Sequence, residues 1–165
     1  MSRYDDYFFM DDETPFPSDG VLYYGAHDAS DFLEVEGAGL QVNSWHRAFG
    51  VPQDRPLDHT AEDLLELRLN LIREEFEEVV KALADVTNSQ YTDASKTALL
   101  KELCDLCVVA IGTADTFGMD FDGAFREVMR SNMSKLGPSG EVLRRDDGKV
   151  LKGPNYRAPD LSAFI

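Results

Sequence analysis

The chain has 165 residues, 43% of them hydrophobic and 28% charged, which fits one domain with a sizeable core. Its 16 basic and 31 acidic residues leave a formal net charge of −15, a balance that argues against a nucleic-acid backbone or an anionic membrane as partner. A nucleotide is not excluded, because a bound metal reverses the local sign.

Residues 1–36 stand apart, with many aromatics and acids and no helical period, and read as an arm packed on the domain or on another subunit. Val21 to Tyr24 could form a short strand within it. The N-terminus lacks a signal peptide, and no stretch approaches the roughly 20 apolar residues of a membrane span, so a cytoplasmic protein is expected.

The remainder, residues 37–165, is predicted to be an all-α domain of four-helix-bundle type. A short helix from Leu40 closes at Gly50, with Pro52 beyond. Asp58 to Thr60 offer caps for a longer second helix, and Glu62 and Asp63 suit its first turn. Its apolar face is read as Leu65, Leu69, Ile72, Phe76, Val79 and Leu83, with Glu75 and Glu78 on one flank. Thr87 to Asp93 reads as a loop. A third helix, Ala94 to Phe117, follows with Leu99, Leu103, Cys107, Ala110 and Ala114 inside and Glu102 and Asp105 on a flank. The CxxC of Cys104 and Cys107 lacks the context of a redox or zinc site and reads as two buried helix residues. A fourth helix runs from Asp122 to Leu136, and Gly137-Pro138 ends it. Beyond Glu141 the period changes, and Asp147-Gly148 between two short apolar segments predicts a β-hairpin.

The informative signal is a pair of carboxylate clusters on the second and third helices. Glu74-Glu75-x-x-Glu78 and Glu102-x-x-Asp105 each hold an i, i+3 pair, which a helix sets on one side about one turn apart. Single ExxE patterns are common on solvated helix faces. Two of them, bordering apolar stripes of successive antiparallel helices, are costly without a cation between them. Oxygen-only ligands select hard cations such as Mg²⁺ or Mn²⁺, and open positions on such a metal suit phosphate chemistry. The histidines lie outside both motifs, which disfavours a redox di-metal bundle built on Glu-x-x-His.

EExxE followed by ExxD resembles the all-α nucleoside triphosphate pyrophosphohydrolases, which include MazG-like proteins, dimeric dUTPases and phosphoribosyl-ATP pyrophosphohydrolases. Trp45 to Gly50, Gly118 to Asp120, Ser131 to Lys135, Asp147 to Lys149 and Lys152 look like the MazG-like branch, over roughly residues 40–160. The resemblance implies that Glu75, Glu78, Glu102 and Asp105 ligate Mg²⁺, and that Glu74 holds another metal or helps activate water. It implies cleavage between the α- and β-phosphates, giving a nucleoside monophosphate and pyrophosphate. Asn132 and Lys135 match its N-x-x-K, Lys135 touching phosphate and Asn132 sugar or phosphate. It also implies a homodimer or homotetramer.

Other cations and rings stay open to two readings. Arg144, Arg145, Lys149 and Lys152 either fold over a triphosphate or keep an edge hairpin soluble. Trp45 either stacks on a base or belongs to the core; the expected substrate is a deoxynucleotide, and the large surface of the ring tilts it toward a purine such as dGTP. Tyr156 could close the pocket. A phosphoribosyl-ATP pyrophosphohydrolase and a non-catalytic metal-binding oligomerisation module are the competing functions.

Overall fold

The computed structural model describes residues 37–165, and the expected N-terminal arm and strand lie outside them. Four α-helices carry the described chain: α1 (Ala38–Ala48), α2 (Glu62–Asn88), α3 (Asp93–Thr116) and α4 (Phe121–Met133). Short 3-10 turns span His59–Ala61 and Ser162–Phe164, and no strand forms among the described residues. No helix among them is long and apolar enough to cross a membrane. The described chain divides into two units, one of residues 57–109 and one of 37–56 with 110–165. The first holds α2 and most of α3, and the second holds α1, the end of α3, α4 and the tail.

In the first unit, Asp58 opens the approach to α2 by accepting bonds from the Thr60 amide (2.8 Å) and hydroxyl (2.6 Å). That satisfies an orphan donor ahead of the helix. After α2 the chain turns through two non-glycine residues at positive φ, Gln90 (56°) and Tyr91 (63°). The Tyr91 amide is held by the Val86 carbonyl at 2.9 Å, which fixes the turn. Thr92 then caps α3, its hydroxyl accepting from the Ser95 amide at 3.3 Å. So short a connection makes the two helices antiparallel neighbours.

The inward stripe of α2 differs from the expected one. Arg68, Val79 and Ala82 are buried, and Leu64, Leu71, Ile72 and Glu75 are half-buried. Leu65, Leu69, Phe76 and Leu83 are instead exposed. On α3 the same rotation turns Leu99, Glu102, Asp105, Leu106 and Val109 inward and leaves Leu103, Cys104 and Cys107 exposed. Both cysteines are therefore free exposed thiols and not buried residues. Apolar residues cover more than one side of each helix, so periodicity does not single out the face that packs within the chain.

In the second unit, α1 begins at Gly37 with no side-chain cap of its own. The cap comes from α4, where Asp122 Oδ1 accepts from the Gly39 amide at 3.1 Å. A Cβ on Gly39 would meet Asp122 Oδ2 at 2.7 Å, so any larger residue has to displace the capping carboxylate. Asp120 caps α4 through the Gly123 amide at 2.9 Å. His46, fully buried, places Nδ1 2.7 Å from Asp115 Oδ2 on α3. The same carboxylate accepts from Asn43 Nδ2 (2.5 Å) and Gln53 Nε2 (2.8 Å). With the Arg55 amide on the Thr116 carbonyl at 2.8 Å, these bonds hold the 50–56 loop against the end of α3.

The expected β-hairpin is a single antiparallel bridge between Arg144 and Val150. Its turn has Gly148 at φ 85° and the Arg145 amide 2.8 Å from the Lys149 carbonyl. Val142, Val150 and Leu151 are exposed, so no apolar layer supports a two-stranded ribbon, which is marginal alone.

Candidate metal centre

α2 and α3 bring the carboxylates of the first unit together. One oxygen each from Glu75, Glu78 and Glu102 lie within 4.8 Å of one another. Asp105, one turn beyond Glu102, raises the energy of the ionised Glu75, as do Glu78 and Glu74. Desolvation is the first cause of the upward shift of Glu75. Glu78 is also held above the ordinary carboxylate range, first by a hydrogen bond shared with the Glu102 carboxyl and then by that group's charge. Both shifts have the sign expected of crowded like charges.

One cation partly answers this charge. Lys101 Nζ lies 2.6 Å from Asp105 Oδ2 and 3.1 Å from Glu102 Oε2. These two bonds, Asp105's first, push its ammonium pKa upward. Sequence reading missed Lys101 as part of the cluster. The available signal was its i, i+4 spacing to Asp105, which puts the two side chains on one helix face.

The donor set fits a divalent cation. Hard oxygens come from two helices and lie within 4.8 Å of one another, and such ligands suit Mg²⁺ or Mn²⁺. Glu75, Glu78, Glu102 and Asp105 are the groups that can hold it, and a cation there would relieve the like-charge crowding of Glu75 and Glu78. Glu74 is exposed on α2 beside them. Beside Glu78 and Glu102 the helices enclose a small cavity of about 140 Å³, also reached by Lys81, Asp85 and Ser95.

The other site residues expected from the sequence belong to the second unit. Asn132 and Lys135 are bonded to each other, Lys135 Nζ to Asn132 Oδ1 at 2.7 Å. Arg144 Nη1 donates to the Gly148 carbonyl at 2.8 Å and so braces the turn. Lys149 is exposed, and its amide is held by Asp147 Oδ1 at 3.1 Å. Trp45 is half-buried, its ring centroid 5.3 Å from those of His46 and Phe49. Lys152 stands over the Tyr156 ring at 4.2 Å from its centroid. The buried His46–Asp115 pair, 69 positions apart in sequence, was not anticipated, because nothing local links its members.

The sequence model of the phosphoribosyl-ATP pyrophosphohydrolase family matches residues 42–132, a span that contains all the carboxylates of the cluster. No curated protein matches the chain. The chain belongs to this family, which is part of the all-α nucleoside triphosphate pyrophosphohydrolase superfamily that includes MazG.

Proposed function

We propose that this member of the phosphoribosyl-ATP pyrophosphohydrolase family is a Mg²⁺- or Mn²⁺-dependent enzyme that cleaves deoxynucleoside triphosphates to monophosphate and pyrophosphate. The observation that carries the reading is the facing of Glu75 and Glu78 on α2 with Glu102 on α3. Its role is control of the nucleotide pool in the cytoplasm.

In this reading Glu75, Glu78, Glu102 and Asp105 hold the cation. When bound, the cation supplies neutralisation of the triphosphate charge and acidity of the attacking water. Glu74, exposed and free of the cluster's internal bonds, accepts the proton of the water that attacks the α-phosphorus. The bond from that phosphorus to the bridging oxygen breaks in line, and pyrophosphate leaves. Lys135 contacts phosphate and Asn132 sugar or phosphate. Arg144 and Lys149 are the further cations for phosphate, and Trp45 offers a stacking face for the base. Among bases, dGTP is the first candidate on the size of that face.

A homo-oligomer belongs to the same reading. Leu69, Phe76 and Leu83 on α2, with Leu100 on α3, are each more than half exposed. Such a stripe on two adjacent helices is costly in water, and a second copy of the chain would cover it. Light scattering should give a dimer or tetramer, and Phe76→Asp should drive it toward monomer.

The deciding assay incubates the protein with each common deoxynucleotide and ribonucleotide, with phosphoribosyl-ATP, and with either metal, and resolves the products. Monophosphate with pyrophosphate supports the reading and names the base. Diphosphate with phosphate rejects the cleavage position. Turnover of phosphoribosyl-ATP alone would favour the substrate named in the matched family's description. Full activity in both Glu78→Gln and Asp105→Asn would sink the metal assignment.

A further inference from the structure

The second unit contains a cleft of about 430 Å³ lined by Arg130, Ser134, Pro154, Asn155, Tyr156 and Arg157. Its walls are the last turn of α4 and the segment that follows Gly153. The segment is built in place and does not lie loosely on the helix. The Gly153 amide donates to the Lys135 carbonyl at 3.1 Å, and a Cβ there would sit 2.7 Å from that oxygen. The Ser131 hydroxyl donates to the Arg157 carbonyl (2.8 Å), and the Arg157 amide donates to the Ser134 hydroxyl (2.9 Å). The Tyr156 amide closes a turn onto the Gly153 carbonyl at 3.1 Å.

This backbone anchoring leaves cationic side chains available. Arg130 spends Nε and Nη2 on Glu127, both at 2.6 Å, and Nη2 also reaches the Ala158 carbonyl at 3.2 Å. Its Nη1 carries no such bond among the described residues. The Arg157 guanidinium has no ion-pair partner among the described residues, in a chain of net charge −15. Lys152 adds a third cation, resting on the Tyr156 ring. The end of a helix carries partial negative charge, so cations held here are the natural counterweight and are not spent on a carboxylate partner beyond Glu127.

We propose that this cleft binds the phosphate of a nucleotide-sized ligand, with Arg157 and the free edge of Arg130 on the phosphate and Tyr156 against the ring. Guanidinium forks match phosphate oxygens in pairs, and the cleft volume falls in the range of small-molecule sites. Tyrosine supplies a flat apolar surface with a polar tip, suited to a nucleobase. The proposal does not depend on the carboxylate cluster or on any metal, so it and the catalytic reading fail separately.

The test is calorimetric titration of the full chain in EDTA with inorganic pyrophosphate and with each deoxynucleoside monophosphate. Saturable binding of both is expected. Arg157→Gln should weaken both about tenfold or more, the loss of a charge-assisted contact. Arg157→Lys should recover part of the pyrophosphate affinity. Tyr156→Ala should weaken the monophosphates while sparing pyrophosphate. Lys96→Gln, which removes an exposed cation on α3 outside the cleft and outside the carboxylate cluster, should bind as the wild type does. The Arg157 side chain makes no internal bond among the described residues, so its removal does not threaten folding. No saturable binding, equal affinity in Arg157→Gln, or an equal loss in Lys96→Gln would each overturn the proposal. Equal monophosphate affinity in Tyr156→Ala would overturn the ring contact.

Discussion

Asp115→Ala should be among the most destabilising single changes in the second unit. Its carboxylate collects three donors: His46 Nδ1 at 2.7 Å, Asn43 Nδ2 at 2.5 Å and Gln53 Nε2 at 2.8 Å. His46 is 1% exposed, and the Asp115 side chain only 12%. Truncation removes this acceptor from His46 Nδ1 and Asn43 Nδ2 in a site that water reaches poorly, while Gln53 Nε2 keeps its bond to the Asn43 carbonyl at 3.2 Å. A hydrogen bond to a charged group contributes about 1.5–3 kcal/mol, and a stranded buried donor costs about 1–3 kcal/mol. The three contributions share one acceptor and are not additive, and partial relaxation lets water replace the outermost of them. An overall loss of about 3–5 kcal/mol follows, in the range of broken buried networks. For a chain of this size that lowers the melting temperature by roughly 10 °C. Urea unfolding of wild type and variant at one fixed protein concentration measures it, since any assembly makes stability concentration-dependent. Asp115→Asn keeps one oxygen but sets an amide against the other donors, and should fall between the two. A loss below about 1 kcal/mol in Asp115→Ala would refute the claim that this carboxylate ties α1 and the 50–56 loop to the end of α3.

Four further outcomes are expected. Glu75 and Glu78 have folded-state pKa values above 4.5, so the metal-free protein loses stability as pH rises from below 4.5 through the raised values. A divalent cation competes with those protons, and Mn²⁺ should therefore raise the melting temperature more at pH 8 than at pH 5. At a free concentration 100 times Kd the gain is about 2.7 kcal/mol, and an equal shift at both pH values would contradict the carboxylate site. Lys101→Met removes the only cation bonded to the cluster among the described residues, so scanning calorimetry should find the metal-free protein less stable and the metal-induced gain larger. Glu127 is held down to about 2, first by Arg130 and then by the Asp160 amide, so the stability it contributes is present above pH 4.5 and is lost as pH falls through about 2. Acid unfolding of Glu127→Gln should lack that component. Gly39→Ala places a methyl against the Asp122 carboxylate that caps α1, and circular dichroism should show a helix loss and a lower melting temperature.

Much of the secondary structure was legible in the chain. Asp120 with Gly123, Gly118 at φ 70° and the Asp58–Thr60 cap are local signals, and each marks a helix end through groups a few residues apart. The spacing of Glu75, Glu78, Glu102 and Asp105 was equally local. The antiparallel return of α3 on α2 followed from the short connection, and with it the convergence of the carboxylates.

Tertiary structure alone decided which side of each helix turned inward. α2 carries apolar residues at Leu64, Leu71 and Val79 and also at Leu65, Leu69 and Phe76, so either stripe satisfies the helical period. The inward stripe is the one that includes Glu75, and the other is left exposed. The same reason hid the exposed cysteines, the reach of Lys101 across its own carboxylates, and the loss of strands around Asp147-Gly148 for want of a packing layer. The His46–Asp115 pair and the cap that Asp122 lends to Gly39 span 69 and 83 positions. Periodicity and capping act over one or two turns of chain, whereas the burial of a charge or the choice of a face depends on what a distant segment brings to it.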